Sequence, residues 1–374
     1  MPYFDNAATT NPYPEVIEAM VRAAHVYGNP SSIHSVGEEA RKLVDQAREK
    51  VARLINAEPE EIYFTSGGSE ADNWVLKGAP VDTIYTSAIE HHAVLHAMKE
   101  LLHQDQYMTW RKLQVDSHGL VLMDQLKKLW GCPLVSVMLA NNEVGTVQPI
   151  KYLAKLTHAR NGYFHTDAVQ AAGHIPINVK DLDVDYLSIS AHKLYGPKGI
   201  GCLYIKKGSP IPEPLVAGGA QEGGYRAGTE NVPAIVGFGV AAELALNELN
   251  QEQERLETLR TKIINQLEQI GGIVIGCAQS HLPGILNIRF PGVSGDVLVL
   301  QLNQDGFQLS TGSACTSGDL DPSHVLMAMG YEPAQADEAI RISMGRYNTP
   351  EQVDLLIEAI KKNVEKIRKN SGKM

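Results

Sequence analysis

A lysine in a loop rich in glycine and proline is a candidate reactive residue of this sequence. Lys193 lies in Ser190–Gly199, SAHKLYGPKG, directly after an apolar run. Lysine forms Schiff bases when its amine is partly desolvated or lies near another cation. A single lysine in a loop is most often a solvated surface residue. The prediction of a reactive lysine therefore depends on the groups that the fold brings to it.

A carboxylate and an amide follow a second apolar run. Asp167 and Gln170 belong to HTDAVQ, and an acid at the C-terminal end of a parallel strand lies where open α/β sheets bind ligands. A pyridoxal phosphate ring requires a carboxylate against its pyridine nitrogen, because the protonated ring is the electron sink. Asp167 can fill that role, and Gln170 can donate to the phenolic oxygen of the ring. The alternative for Asp167 is a helix N-cap.

Two further segments carry groups that a phosphorylated cofactor needs. The glycine-rich Ser66–Ala71, SGGSEA, lies between a strand and a helix, where backbone N–H groups can hold a phosphate together with the Ser69 hydroxyl. The same segment is also compatible with an ordinary turn followed by a helix cap that binds no ligand. Glu90–His92 adds an imidazole, and Asn141–Gly145 adds an amide. The histidines of the chain show no zinc-binding pattern, so we predict no resident metal.

The elements that must position these groups alternate along the chain. Short apolar runs predict strands, and stretches with a helical period predict helices between them. The predicted strands are Glu61–Thr65, Thr83–Thr86, Leu134–Ala140, Tyr163–Thr166, Tyr186–Ile189 and Gly201–Ile205, and the predicted helices include Pro14–Val26, Ser35–Ile55, Leu95–Leu102 and Ile150–Ala159. This alternation indicates an α/β fold with a mainly parallel central sheet.

The pattern changes in the last third of the chain. A long, charged, helical stretch occupies Ala234–Lys262, and two strands (Gly272–Ile275 and Gly284–Arg289) and a helix from Glu351 follow. We therefore expect two domains: residues 12–250 form a large cofactor-binding domain, and residues 1–11 together with 251–374 form a smaller α+β domain.

The composition excludes several classes of protein. The chain has 374 residues, of which 44% are hydrophobic and 20% charged, and a net charge of −10, which argues against a general nucleic-acid or membrane binder. The N-terminus predicts no secretory signal, and the apolar stretch Val232–Leu246 is too broken by Gly and Glu for a membrane span. Four scattered cysteines are typical of a reducing compartment, so we expect a cytoplasmic protein.

The motifs in their order resemble those of the cysteine desulfurases, the NifS-like or IscS-like enzymes of the class V aminotransferase type, which bind pyridoxal phosphate and have fold type I. The resemblance extends from Asp5 to Arg346. The segments that carry it are TSGGSEADN, EHHAV, NNEVGTVQ, HTDAVQ, SAHKLYGPKGIG, RAGTEN and STGSACTS. It implies pyridoxal-phosphate-dependent transferase fold type I.

The resemblance implies a role for each residue that matches a motif. Lys193 matches the lysine that holds the cofactor as a Schiff base, and Asp167 matches the residue against the ring nitrogen. Asn142 and Gln170 match the residues that bond the phenolate oxygen. His91 matches the histidine that stacks on the ring and also transfers protons.

Further matches concern the phosphate and the substrate. The phosphate ligands are expected to be Gly68, Ser69, Ser190 and His192, with Thr229 contributed by the other subunit of a homodimer. Gly68 stands where the family more often has alanine. Asn29 and Arg341 match the groups that bind the substrate carboxylate. Arg346 is a second candidate by charge, and motif position favours Arg341.

Cys315 matches the nucleophile that receives the sulfur. Its surroundings, residues 310–319, are polar and rich in Gly and Ser, which suits an exposed, reactive thiol. Cys132, Cys202 and Cys277 lie next to apolar strand candidates and are expected to be buried. The implied reaction converts L-cysteine to L-alanine and a persulfide on Cys315. The persulfide then passes to an acceptor for iron–sulfur cluster assembly, tRNA thiolation or cofactor synthesis, and it could transiently ligate an iron–sulfur cluster.

Three alternatives stay open on sequence alone. A selenocysteine lyase or cysteine sulfinate desulfinase would share the scaffold. A class V transaminase would need an oxo-acid acceptor and would not depend on Cys315. A non-catalytic, nucleotide-binding α/β protein is the third, although neither G-x-G-x-x-G nor G-x-x-x-x-G-K-[ST] is present.

Overall fold

The computed structural model describes residues 2–311 and 322–370. The helices in these ranges are α1 (Pro14–Ala24), α2 (Ser35–Leu54), α3 (Gly68–Gly78), α4 (His92–Gln104), α5 (Ile150–His158), α6 (Val179–Leu182), α7 (Val232–Leu267), α8 (Gly295–Gln304), α9 (His324–Ala328), α10 (Pro333–Ala336) and α11 (Pro350–Asn370). The strands are β1 (Ile62–Thr65), β2 (Thr83–Ser87), β3 (Thr109–Leu113), β4 (Leu134–Ser136), β5 (Tyr163–Asp167), β6 (Tyr186–Ser190), β7 (Gly201–Ile205), β8 (Ile273–Ile275), β9 (Ile285–Arg289) and β10 (Ala339–Ser343).

A seven-stranded sheet forms the centre of the fold, in the order β1-β7-β6-β5-β4-β2-β3. Its strands are parallel except β7, which runs antiparallel to β1 and β6. Strands β4 to β7 are buried along their whole length apart from Tyr163, as expected for a sheet covered on both faces. The mainly parallel α/β fold expected from the sequence is confirmed.

Most predicted strands lie within one or two residues of the observed ones. The exception is Leu134–Ala140, because regular pairing ends at Ser136. The chain then continues beside β5 through separate hydrogen bonds and makes an isolated bridge between Ala140 and Val147. Two strands were not predicted. β3 is a polar edge strand, and β10 interrupts its apolar pattern with Arg341.

Helix α7 packs against α1 and α2 and continues into a second core. By length and composition the stretch Val232–Ile270 could cross a membrane, which corrects the expectation that it is too broken to do so. However, 56% of its most apolar window is buried inside the protein, and this burial marks it as a core helix.

A three-stranded antiparallel sheet, in the order β10-β9-β8, supports the second core together with α8 and α11. The N-terminal segment joins this sheet: Phe4 is buried in the second core, and Asp5 forms a bridge with Ser343. Helix α7 passes through residue 250 without interruption. The division into residues 12–250 and residues 1–11 with 251–374 stays a prediction, since no linker marks it.

Candidate active site

A cavity of about 580 Å³ lies at the C-terminal ends of the parallel strands. Most of the predicted cofactor residues line it. They are Gly68, Ser69, His91, Asn142, Asp167, Gln170, Ser190, His192 and Lys193. This position follows from the fold, because the C-terminal ends of neighbouring parallel strands meet at one edge of the sheet.

Strand register brings the glycine-rich turn to the lysine loop. Thr65 at the end of β1 and Ser190 at the end of β6 both pair with Gly201 of β7. The segments that leave these two strands therefore lie side by side at one edge. A Cβ atom at Gly201 would come within 2.8 Å of the Cα atom of Gly67, so glycine is required for this approach.

Lys193 is held by the backbone of the N-terminal segment. A single 3₁₀ turn, Ala191–Lys193, follows β6, and the Nζ atom donates to the carbonyl oxygens of Ala7 at 2.5 Å and Ala8 at 2.8 Å. Two residues later Tyr195 has a φ of +63°, a left-handed conformation that is rare for a bulky side chain. Tertiary contacts hold it there, since its hydroxyl accepts a hydrogen bond from Arg346 N at 2.7 Å.

Asp167 is the last residue of β5 and is 5% exposed. Its Oδ1 atom accepts a hydrogen bond from the backbone N–H of Val169 at 2.8 Å. Burial raises the pKa of Asp167 to about 6, and the Val169 bond and the charge of Lys193 oppose this rise. A cationic group placed against this carboxylate would stabilise the ionised form further.

The turn before α3 forms part of the cavity wall. Helix α3 begins at Gly68, so its first N–H groups point toward the cavity wall. A Cβ atom at Gly68 would lie 2.5 Å from the Cγ2 atom of Val169. Ser190 faces this turn, and His192 bonds Thr9 Oγ1 through Nδ1 at 3.1 Å. These positions suit the binding of an anion at the helix N-terminus.

His91 caps α4 with its ring. The Nδ1 atom accepts a hydrogen bond from the backbone N–H of Ala93 at 3.1 Å. Burial first, and then the charge of Lys193, lowers the pKa of His91 to about 4. At neutral pH the ring is therefore uncharged, with Nδ1 as acceptor and the proton on Nε2.

The two predicted phenolate ligands reach the same cavity. Gln170 is nearly buried, and its Nε2 atom donates to the carbonyl oxygen of Ala7 at 2.9 Å. Asn142 is 8% exposed, and its backbone oxygen accepts from Arg341 Nη1 at 3.0 Å. Each amide lines the wall that Asp167 and Lys193 also line.

Other predicted residues are not brought to this wall within the single chain. Asn29 and Thr229 are exposed and lie outside the cavity. Arg341 is 1% exposed, lies behind Asn142 and forms an ion pair with Asp5 at 2.8 Å. Cys315 lies outside the described residues.

One expectation about the other cysteines is wrong. Cys202 and Cys277 are buried as predicted, but Cys132 is exposed. It follows Gly131, which has a φ of +73°, in the turn that precedes β4. Proximity to an apolar strand therefore did not bury this thiol, because the turn lies outside the sheet.

Sequence reasoning missed three groups of this site. The carbonyls of Ala7 and Ala8 carry no side-chain signal. Asp72 of α3 also lines the cavity and is 1% exposed. Glu90 is fully buried, accepts hydrogen bonds from Ser87 Oγ and from the backbone N–H of Met138, and has a pKa that burial raises to about 8. Asp72 interrupts an otherwise apolar face of α3, and this pattern in the sequence could have indicated a buried acid.

Comparison with known proteins agrees with this geometry. A family model described as aminotransferase class-V matches residues 2–356. The cysteine desulfurase IscS of Clostridium botulinum strain Hall is 45% identical over 382 residues, which cover 99% of this chain and 96% of the relative. The cysteine desulfurase IscS of Methanosarcina thermophila is 46% identical over 379 residues, covering 99% of this chain and 93% of the relative.

Solved structures give the same result. A NifS-like protein superposes with a TM-score of 0.91 at 42% identity, over 97% of this chain and 99% of that structure. A structure described as SspA in complex with cysteine superposes with a TM-score of 0.82 at 33% identity, over 93% of this chain and 100% of that structure. The chain therefore belongs to the class-V aminotransferase family and, within it, to the cysteine desulfurases.

Proposed function

We propose that the cavity binds pyridoxal 5′-phosphate and that the chain removes sulfur from L-cysteine, giving L-alanine and a persulfide on Cys315. The observation that carries this proposal is the convergence of three groups on one cavity: the Lys193 amine, the buried Asp167 carboxyl and the N-terminus of α3. A phosphorylated pyridine aldehyde offers a complement to each, namely its aldehyde carbon, its ring nitrogen and its phosphate. The neighbour solved with cysteine supports the choice of substrate.

The residues present fit this cofactor. The cavity volume of about 580 Å³ suits a small, rigid ligand. The glycine at position 68 lets the turn pack closely against Val169, where a Cβ atom would clash with the Val169 side chain. A buried carboxyl at the end of β5 is costly unless a cation or donor faces it, and a protonated ring nitrogen supplies one.

The chain's own residues would perform the proton transfers. When bound, the cofactor withdraws electron density from the substrate carbons, and this weakens the bond to sulfur. Lys193 would hold the cofactor, and its amine would move protons at the substrate carbons. His91 is neutral with its proton on Nε2, so its first task is to donate a hydrogen bond or a proton.

Cys315 would take the sulfur. Its thiolate attacks the substrate sulfur, so that a sulfur–sulfur bond forms as the carbon–sulfur bond breaks. The electron pair of the broken bond stays with carbon, which gains a proton and becomes the methyl group of alanine. The persulfide then passes to a sulfur-acceptor protein, for iron–sulfur assembly, tRNA thiolation or cofactor synthesis. During transfer it can ligate a cluster transiently.

The substrate carboxylate is assigned to Arg341 and Asn29. Arg341 already pairs with a carboxylate, that of Asp5 at 2.8 Å, and a substrate carboxylate would compete for the same guanidinium. The Arg341 Nε atom has no hydrogen-bond partner among the described residues, so the group has capacity for a second acceptor.

A homodimer would complete the phosphate site. Thr229 is exposed and lies outside the cavity of its own chain, so its hydroxyl is available to a neighbouring subunit. Mixing Lys193→Ala and Thr229→Ala chains tests this directly. In a dimer with crossed contributions, one of the two cavities regains both intact groups, and activity reappears on mixing. No recovery in a mixed dimer would contradict the assignment of Thr229.

The main experiment adds pyridoxal phosphate and then L-cysteine to the purified chain. We expect a visible absorbance band that Lys193→Ala abolishes, and alanine and sulfide in equal amounts in the presence of a reductant. Cys315→Ser should keep the band and lose sulfide release. Sulfide release by that variant at the wild-type rate would refute the role of Cys315.

The three described cysteines are unpaired, which supports the proposed cytoplasmic location.

A further inference from the structure

A buried carboxyl without an assigned role lies in the cavity wall. Asp72 is on α3, one helical turn after Gly68, and is 1% exposed. Within residues 2–311 and 322–370, its Oδ1 atom has no hydrogen-bond partner. A buried carboxylate without a cation or a set of donors is strongly disfavoured, whereas the neutral acid is tolerated.

The imidazole beside Asp72 supplies no positive charge. His165 is fully buried, and its Nε2 atom lies 3.6 Å from Asp72 Oδ1. Each ring nitrogen is already engaged by a hydroxyl, Nδ1 with Ser136 Oγ at 2.8 Å and Nε2 with Ser188 Oγ at 3.0 Å. Burial lowers the pKa of His165 to about 3, so the ring is neutral at neutral pH. The contact between Asp72 and His165 is therefore not an ion pair.

The charged groups that face Asp72 are acids. Burial, and then the charges of Asp167 and, more weakly, Glu90, raise the pKa of Asp72 well above its ordinary value, and the Ser188 hydroxyl opposes the rise. The nearby cation, Lys193, acts on Asp167. Asp167 also accepts the Val169 N–H. Of the two buried carboxyls, Asp167 is therefore the one that ionises, and Asp72 is the one that keeps a proton.

We propose that Asp72 is a positioning residue whose neutral carboxyl leaves Asp167, of these two acids, as the anion at the ring-nitrogen site. If Asp72 were charged, repulsion between two buried carboxylates would keep Asp167 protonated, and the ring nitrogen would lose its counter-ion. The neutral acid also adds a hydroxyl donor to the polar chain of Ser188, His165 and Ser136, which links β6, β5 and β4. The inference rests on the proposed function only in its mention of the ring nitrogen.

Infrared spectroscopy of the full-length, cofactor-free protein tests the protonation itself. A protonated carboxyl has a C=O stretching band apart from those of carboxylates. The difference spectrum of wild type minus Asp72→Asn at neutral pH should contain this band. Asp167→Asn should shift the disappearance of the Asp72 band to lower pH, because the like charge is gone. An unchanged titration, or no protonated band in the difference spectrum, would overturn the proposal.

Cofactor loading gives a second, independent readout. Asp72→Asn is neutral and similar in shape, so the affinity for pyridoxal phosphate should stay within about threefold of wild type, well short of the factor of about ten that one pKa unit represents. A loss of tenfold or more would mean that Asp72 acts as an anion. If wild type fails to bind pyridoxal phosphate, the proposed function fails while the infrared result stands. If Asp72→Asn does not fold, the Asp167→Asn titration still decides.

Discussion

Replacing Asp167 with asparagine should stabilise the cofactor-free protein while it removes the proposed counter-ion of the cofactor ring. Burial raises the pKa of Asp167 from its ordinary 3.8 to about 6. The carboxyl is thus more acidic in the unfolded chain, and ionisation favours unfolding. This penalty is absent below about pH 4, about half developed at pH 5 and complete above about pH 7. A difference of about two units corresponds to about 3 kcal/mol.

Urea unfolding of the cofactor-free proteins at about pH 5 and about pH 8 measures this effect. Asparagine keeps an oxygen for the Val169 N–H, so Asp167→Asn should gain up to about 3 kcal/mol at the higher pH and about half of that at the lower pH. The exposed Asp45→Asn on α2 is the control, with a change within about 0.5 kcal/mol at either pH. A gain no larger at pH 8 than at pH 5, or a loss at both, would refute the reasoning.

Three further predictions concern packing, a buried acid and an exposed thiol. Gly68→Ala should lower the free energy of unfolding by about 1–3 kcal/mol through its 2.5 Å contact with Val169. Adding Val169→Ala should recover most of this loss, and simple additivity of the two losses in urea unfolding would contradict the clash. Ser323→Ala removes the hydroxyl that donates to Glu143 Oε2 at 2.5 Å and should cost about 1–3 kcal/mol. Because burial raises the pKa of Glu143 to about 7, this loss should grow with pH through neutrality, and a pH-independent loss would argue against it. Cys132 should react with iodoacetamide in the folded protein, and a protected Cys132 peptide in mass spectrometry would contradict its exposure.

Local sequence patterns predicted the strands that carry the site. The strands ending at Asp167 and Ser190 are buried almost throughout because both faces of the central sheet are covered. A polar residue at the end of such a strand lies at the ligand-binding edge of the sheet. This prediction depends only on residues that are neighbours in the sequence. The structure has the residues concerned in the lining of one cavity: Asp167, Gln170, His192 and Lys193.

Strands β3 and β10 were not predicted from the sequence, for opposite reasons. β3 lies at the edge of the sheet, where solvent permits polar side chains such as Arg111 and Lys112. β10 is fully buried but contains Arg341, whose charge is tolerated because Asp5 pairs with it. The partner is 336 positions away in the sequence, and no periodicity along the chain can indicate such a pairing.

The sequence alone indicated the class of chemistry: a lysine, a carboxylate, a glycine-rich turn and a histidine at strand ends, with Cys315 as the feature typical of sulfur transfer. Only the tertiary structure decided the state in which these groups are held. The Ala7 and Ala8 carbonyls accept hydrogen bonds from Lys193 Nζ across 186 and 185 positions of the sequence, and Asp72 lies in the wall that Asp167 also lines. Burial and charge proximity set protonation, and both depend on distances between segments that are remote in sequence.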